Sequence, residues 1–157
     1  MLTNTFIHIQ SIGAITEQRL WDSGIRDWDS IDGNLPIPVS PKRRYILQNG
    51  IEESRRHIDG CNPAYFSNRL PANQCWRLFP EFRDSIVYLD IETTGLDRYY
   101  NRITTIALYD GQAIKTYVQG QNLDDFAKDV QKYKVIVTYN GKCFDVPCRV
   151  THPKFLG

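Results

Sequence analysis

The sequence predicts an α/β protein in which a small helical module, residues 1–84, precedes a mixed β-sheet domain, residues 85–157. Two apolar runs rich in β-branched residues, Ile86 to Ile91 and Lys134 to Thr138, have the composition of buried strands. Between them, Asp110-Gly111 is a strong hairpin signal, and a helical pattern follows it. Residues before the first run carry the caps and prolines that begin and end helices.

The 157-residue chain has the composition of a globular protein, with 41% hydrophobic and 24% charged residues. Its formal net charge of +1 provides no global field for a polyanion, so a nucleic-acid surface has to be local. No run of roughly 18 apolar residues and no secretory leader are visible, which predicts a cytoplasmic protein with no membrane partner. The four cysteines are too irregular for a disulfide scaffold and are interpreted as reduced thiols.

The first helix is predicted from Ala14 to Trp21 with Gly24 beyond its end, and its apolar stripe comprises Ile15, Leu20 and Trp21. Together with the preceding turn, which ends at Gly13, this segment resembles one helix-hairpin-helix motif. In that motif the hairpin amides and the helix N-terminus hold a DNA phosphate. Ser11 stands where the motif has its first glycine, and no lysine or arginine adjoins the turn. Phosphate binding and a plain packing role both remain open.

A second helix is predicted from Lys42 to Ile58, with Ser40 as N-cap and Pro41 at the first helical position. Gly50 is a potential break in this helix. The segment is the most basic part of the chain, and its positive residues fit either a solvated helix face or a phosphate-tracking surface.

A short helix is predicted to begin after Asn62 and to end at Pro71. The aromatic stretch that follows is interpreted as core, because no periodic basic residues accompany it as they would in a base-stacking platform. That interpretation covers Trp76, Leu78, Phe79 and Phe82.

After the first strand, two further strands are predicted, Ile103 to Tyr109 and Ala113 to Val118. Asn122 is predicted to cap a crossover helix whose buried face comprises Leu123, Phe126 and Val130. The next strand, ending at Thr138, would then be parallel to the first.

Two carboxylates, Asp90 and Glu92, stand two residues apart at the end of the first strand. Because side chains alternate along a strand, both are expected on the same face. Two neighbouring like charges are costly unless a cation lies between them, and hard oxygen ligands suit magnesium or manganese. Thr93, Thr94 and Gly95 then end the strand with small residues that allow another backbone to approach closely.

The string Leu89–Leu96 (LDIETTGL) closely resembles the first motif of the DnaQ-like (DEDD) 3′–5′ exonucleases, a branch of the RNase H-like superfamily. The string Tyr139–Pro147 (YNGKCFDVP) resembles their second motif. The spacing of residues in this second string is more similar to that in family-B DNA polymerase proofreading domains and YprB-type RNase H-like domain proteins than to that in DnaQ itself. The YprB-type proteins show the best resemblance, with gaps, from about Thr5 to Pro147.

The resemblance implies an RNase H-like mixed sheet and a two-ion site for Mg²⁺ or Mn²⁺, with Asp90, Glu92 and Asp145 as metal ligands and catalytic residues. The residues that it places against nucleic acid are Thr93, Thr94, Gly95, Leu96, Asn140 and Phe144. The family's third motif, a Tyr or His followed by a further Asp, has no counterpart before residue 157. The sheet is therefore expected to be incomplete at its C-terminal end.

Three functions follow as hypotheses. The first is a metal-dependent 3′–5′ exonuclease on single-stranded DNA or RNA, completed by a partner chain or by a missing C-terminal segment. The second is a non-catalytic nucleic-acid-binding module that keeps the metal acids. The third is a protein-interaction subunit. An incomplete sheet exposes apolar surface and an unpaired edge, so a second protein chain or self-association is expected.

Overall fold

The computed structural model describes residues 1–32, 39–95 and 102–138. The chain divides into two compact units, Met1–Arg83 and Asp84–Gly157. Helices make up the first unit, and a four-stranded mixed sheet makes up the second. This confirms the predicted α/β class and is consistent with an RNase H-like sheet. In the described ranges, no helix is long and apolar enough to cross a bilayer.

The α-helices of the first unit, within the described residues, are α1 (Ala14–Asp22), α2 (Pro41–Asp59) and α3 (Pro63–Ser67). Short 3₁₀ turns accompany them at Leu2–Asn4, Asp29–Asp32 and Ala72–Leu78. Ser40 caps α2 as predicted, because its hydroxyl accepts a hydrogen bond from the Arg43 amide at 3.4 Å. Gly24 follows α1 with a φ of +86°, which confirms its predicted role beyond the helix end.

Gly50, a potential break in the sequence, does not divide α2. A Cβ atom at this position would lie only 2.6 Å from Cγ2 of Ile9. Glycine therefore lets Ile9 pack directly against the helix backbone. This close contact offsets the roughly 1 kcal/mol by which glycine disfavours a helix relative to alanine.

The turn before α1 has an unusual backbone, because Ser11 adopts a left-handed conformation with φ of +66°. Buried Glu17 ties α1 to the preceding residues by accepting hydrogen bonds from the Thr5 hydroxyl at 2.6 Å and the Phe6 amide at 2.7 Å. Ile15 is 75% exposed, so its predicted place in the apolar stripe is wrong. The residues that α1 buries are Glu17 and Leu20.

An aromatic cluster forms the core of the first unit. Phe66 is fully buried, and its ring lies 4.9–6.4 Å, centroid to centroid, from four neighbouring rings. Those rings belong to His8, Trp28, Tyr65 and Phe82. The indole nitrogen of Trp28 donates to the Thr5 carbonyl oxygen at 2.8 Å, so its polar atom is satisfied inside the core.

His8 is buried in this cluster, and its contacts indicate which ring nitrogen carries the proton. Its Nε2 lies 2.8 Å from the Ser54 hydroxyl, and that hydroxyl donates to the Gly50 carbonyl oxygen at 2.6 Å. Because a hydroxyl has a single proton, Nε2 of His8 has to be the donor toward Ser54. Nδ1 is buried and has no hydrogen-bond partner among the described residues, so a second proton there would be unpaired and the neutral ring is favoured.

His8 also makes the stability of the first unit depend on pH. Burial, with a smaller contribution from the Arg69 charge, lowers the pKa of His8 from 6.5 to about 4. Between these values the unfolded chain binds the proton more readily than the folded chain, so the free energy of unfolding falls as the pH decreases from 6.5 to 4. We expect this group to remove about 2 kcal/mol between pH 8 and pH 5.

Urea unfolding at the two pH values measures this effect. The His8→Gln variant is expected to lose most of the pH dependence in that interval, whatever its absolute stability. A variant that retained the wild-type difference between the two pH values would contradict this assignment.

The sheet of the second unit consists of β1 (Ile86–Thr93), β2 (Ile103–Tyr109), β3 (Ile114–Val118) and β4 (Val135–Thr138) in the spatial order β3-β2-β1-β4. Strand β2 is antiparallel to β1 and β3, whereas β4 is parallel to β1. The predicted hairpin turn is confirmed, because Gly111 has φ of +93° and the Asp110 carboxylate accepts the Gln112 and Ala113 amides.

The connection to β4 differs in detail from the prediction. It contains a 3₁₀ turn, Leu123–Asp125, followed by the short helix α4 (Phe126–Val130). Asn122 precedes the 3₁₀ turn, but its side chain does not cap that turn. Instead, its side chain accepts the Val118 amide at 2.8 Å and donates to the Thr116 carbonyl oxygen at 3.0 Å, which holds the connection against β3.

One face of the sheet forms a core, and the other face is more exposed. The core face contains Val87, Leu89, Ile106, Leu108 and Tyr117. Partly buried residues that pack on this face are Ile103, Leu123, Phe126, Tyr133 and Ile136. On the opposite face the exposed apolar residues are Tyr88, Tyr109, Ile114 and Val137. The prediction that β1 is a buried strand therefore holds for Ile86, Val87 and Leu89, whereas Tyr88 and Ile91 are partly exposed.

Candidate active site

Asp90 and Glu92 lie on the same face of β1, near its C-terminal end. Both side chains are exposed, on the face opposite the buried side chains of Val87 and Leu89. On the neighbouring strand, Ala107 is the partner of Asp90, and Thr105 is the partner of Glu92. Directly paired residues share a face, so small side chains adjoin both acids on β2.

The core face determines which way these acids point. Leu89 pairs with Leu108, and Ile91 pairs with Ile106, which sets the register of β1 against β2. A shift of one residue would turn the carboxylates into the core and move Leu89 out of it. Burial of apolar side chains on one face therefore holds Asp90 and Glu92 on the other face.

A β-bulge lies beside Glu92. Glu92 pairs with Thr105 but Thr93 pairs with Ile103, so Thr104 is an extra residue in β2. The Thr104 hydroxyl donates to the Glu92 carbonyl oxygen at 3.1 Å. Bulges bend a strand and redirect its side chains, and they are common next to active sites. Here the extra residue supports the backbone that carries the second acid.

Thr93 and Thr94 use their hydroxyls within the turn that follows β1. The Thr93 hydroxyl donates to the Gly95 carbonyl oxygen. Thr94 and Arg102 form a reciprocal pair, in which the Thr94 amide donates to the Arg102 carbonyl oxygen at 3.0 Å and the Arg102 amide donates to the Thr94 hydroxyl at 3.1 Å. These contacts stabilise the backbone next to the acids.

The end of β4 lies beside the acids in the sheet. Thr138 is registered with Leu89, the residue immediately before Asp90. The carboxyl ends of two parallel strands therefore meet at this edge, which is where α/β sheets commonly bind ligands. The other predicted site residues lie outside the described residues: Leu96, Asn140, Phe144 and Asp145.

The two carboxylates provide a partial set of metal ligands. No ion pair within the described residues involves Asp90 or Glu92. Carboxylate oxygens on one exposed face suit Mg²⁺ or Mn²⁺. In residues 1–32, 39–95 and 102–138, no group of three potential ligands comes together, so these two acids are the part of the predicted ligand set that the structure positions.

A second polar cluster, centred on the carboxylate of Asp129, has a structural role. Asp129 accepts hydrogen bonds from Lys132 at 2.8 Å, Lys115 at 2.9 Å and the Tyr117 hydroxyl at 2.8 Å. These donors, Lys132 foremost, hold the pKa of Asp129 below its usual range. Burial and the Asp129 contact raise the pKa of Tyr117. The cluster joins α4 to β3 on the core side of the sheet.

Tyr88 and Tyr109 were not anticipated from the sequence as neighbours of the acids. Tyr88 lies two residues before Asp90 on the same face, and its ring centroid is 6.1 Å from that of Tyr109. Both rings are partly exposed. The alternation of side chains along β1 would have placed Tyr88 on this face, but its pairing with Tyr109 depends on the register of the two strands.

Residues 87–152 match the RNase_H_2 family of the RNase H superfamily. The matched range includes Asp90, Glu92 and all of β2, β3 and β4. No curated protein and no solved structure matches the chain. The match supports a partial RNase H superfamily domain over these residues and indicates a role in nucleic-acid processing. Nucleases of this superfamily usually use divalent metal ions.

Proposed function

Starting from the RNase H superfamily domain at residues 87–152, we propose that this chain is a metal-dependent 3′–5′ exonuclease of the DnaQ-like type that acts on single-stranded nucleic acid. The observation that carries the proposal is the exposure of Asp90 and Glu92 on one sheet face, beside the end of parallel strand β4. In this proposal residues 1–84 form an accessory helical module. Full activity requires a further acid and a general base from outside the described residues.

Asp90 and Glu92 would hold Mg²⁺ or Mn²⁺, with Asp145 as the third ligand by resemblance to the second exonuclease motif. When bound, divalent ions supply an activated water and stabilise the negative charge that develops on the phosphate. The chain's own contribution is to position the carboxylates. The register of β1 directs Asp90, and the Thr104 bulge supports the backbone of Glu92.

The proposed nucleic-acid contacts begin in the turn that directly follows these acids in the chain. The turn after β1 has a backbone held by its own threonine hydroxyls, which presents a rigid surface to the terminal nucleotide. The residues proposed to contact nucleic acid are Thr93, Thr94, Gly95, Leu96, Asn140 and Phe144.

A second candidate function is a non-catalytic subunit that binds nucleic acid or another protein. The exposed apolar side chains on the face that carries the acids favour it, because large exposed apolar patches often mark interaction sites. In that case a second chain, or a second copy, would contact the residues Tyr88, Tyr109, Ile114 and Val137.

Hydrolysis of single-stranded oligonucleotides labelled at either end tests the proposed activity. With Mn²⁺ we expect a 5′-labelled strand to shorten progressively and a 3′-labelled strand to release its labelled nucleotide at once, because cleavage begins at the 3′ end. Excess EDTA is expected to stop both reactions, because the ions supply the attacking water.

The solution mass and Mn²⁺ binding of the same sample distinguish the alternatives. Mn²⁺ binding without hydrolysis would favour the non-catalytic nucleic-acid-binding module. A folded protein that neither binds Mn²⁺ nor cleaves, but associates in solution, would favour the protein-interaction subunit.

A further inference from the structure

The segment that leads out of the first unit carries two large aromatic side chains on its surface. The 3₁₀ turn Ala72–Leu78 buries Cys75 and Leu78. In contrast, Trp76 is 53% exposed and Phe79 is 37% exposed. The prediction that both aromatic residues belong to the core is therefore wrong. Their exposure has no packing explanation within the first unit.

The local backbone places these two rings on one side of the segment. The Phe79 amide donates to the Trp76 carbonyl oxygen at 3.2 Å, which is the i to i+3 bond of a 3₁₀ helix. In this helix, side chains three residues apart are eclipsed, and the rise over three residues is about 6 Å. Trp76 and Phe79 therefore stand one turn apart on the same face.

An arginine lies over each ring. The Arg77 guanidinium carbon is 4.8 Å from the Trp76 ring centroid, and that of Arg83 is 5.9 Å from the Phe79 ring centroid. Nε of Arg77 also donates to the Gln74 side chain at 2.7 Å, which orients this guanidinium. Among the described residues, no ion pair involves either arginine. We call Trp76, Arg77, Phe79 and Arg83 the aromatic–arginine surface.

This combination fits one class of ligand. Aromatic rings stack on the faces of unpaired bases without regard to sequence, and guanidinium groups pair with phosphates. A duplex offers no free base faces, so the rings would have no partner there. An acidic peptide would use the arginines and leave the exposed rings without a matching partner.

We propose that the aromatic–arginine surface binds single-stranded nucleic acid, with bases against Trp76 and Phe79 and phosphates on Arg77 and Arg83. The inference rests on the proposed function for the class of ligand, but it does not require hydrolysis. It adds a binding surface in the first unit that is separate in sequence from Asp90 and Glu92.

Binding of a short fluorescently labelled oligothymidylate in EDTA tests the inference, because hydrolysis and metal binding are then excluded. We expect Trp76→Ala and Phe79→Ala each to weaken binding about tenfold, the effect of losing one base–aromatic contact. Trp76→Phe is expected to restore most of the affinity. Arg77→Ala is expected to weaken binding and to reduce its dependence on salt concentration.

Tyr45→Ala serves as the matched control. Tyr45 is 68% exposed on α2 and adjoins Lys42, Arg43 and Arg44, but it is not part of the aromatic–arginine surface. We expect this variant to bind like the wild-type chain. Thermal unfolding followed by circular dichroism verifies that each variant is folded.

Three results would overturn the inference: absence of binding by the wild-type chain in EDTA, unchanged affinity in both aromatic-to-alanine variants, or a loss of self-association in those variants without a loss of oligonucleotide affinity. The assay in EDTA separates this test from the proposed function, because cleavage is measured separately with Mn²⁺. Weak binding by Trp76→Ala and Phe79→Ala in EDTA supports the inference whether or not the chain cleaves nucleic acid. Unchanged binding by both Trp76→Ala and Phe79→Ala overturns it even if cleavage is observed.

Discussion

Replacing Asp90 with asparagine is expected to reduce Mn²⁺-dependent hydrolysis by roughly 10²- to 10⁴-fold, the range typical for loss of an essential catalytic group. The amide keeps the shape of the side chain but removes the negative charge that would bind a divalent cation. Glu92→Gln is expected to have an effect of similar size. Rates under single-turnover conditions, at saturating oligonucleotide, measure the loss without a contribution from product release.

Asp124→Asn is the matched control for this prediction. Asp124 is an exposed acid of the same unit, in the 3₁₀ turn before α4, and it has no place in the candidate site. This variant is expected to cleave at the wild-type rate. Both asparagine variants should remain as stable as the wild-type chain, because each acid is exposed. An Asp90→Asn chain that kept more than a tenth of the wild-type rate would exclude Asp90 as a metal-binding catalytic residue.

Replacing Phe66 with alanine is expected to produce the largest loss of stability, about 3–5 kcal/mol in the free energy of unfolding of the first unit. Phe66 is fully buried among four aromatic rings, so truncation removes a large apolar surface and leaves a cavity that rigid rings fill poorly. Urea unfolding followed by tryptophan fluorescence measures the change, because buried Trp28 lies 6.4 Å from the Phe66 ring.

Two further variants accompany this measurement, one as a milder change at the same position and one as a surface control. Phe66→Leu refills much of the space and is expected to cost about 1–2 kcal/mol, so the trend remains measurable if the alanine variant does not fold. Ile15→Ala removes a side chain that is 75% exposed and is expected to change stability by less than about 0.5 kcal/mol. A Phe66→Leu variant as stable as the wild-type chain would contradict the proposed role of this ring.

Local signals in the sequence predict much of the architecture correctly. The Asp110-Gly111 turn, the Ser40 cap and the limits of β2 depend on residues close together in the chain, and the structure confirms each. Positions that depend on distant partners were predicted less well. Gly50 is a potential helix break in the sequence, because its contact with Ile9 cannot be seen locally. Asn122 has the residue type of a helix cap, but the nearby backbone of β3 provides better partners.

The aromatic residues also show that local sequence does not predict contacts made by distant residues. From the sequence, Trp76 and Phe79 are predicted to be core, because no periodic basic residues accompany them. In the 3₁₀ turn, however, Cys75 and Leu78 occupy the inward face and leave the other side exposed. The arginines above the rings were also missed, because Arg77 and Arg83 show no periodic spacing and come over the rings only through the fold.

By itself, the sequence determined the α/β class and the presence of two acids on one face of the first strand. Both depend on period-two alternation and on apolar composition, which are properties of neighbouring residues. Only the tertiary structure decided which face of the sheet forms the core, where the Thr104 bulge supports Glu92, and which aromatic side chains stay exposed. These features depend on strand register and on contacts between residues far apart in the chain, because burial is the outcome of packing the whole unit rather than of any one segment.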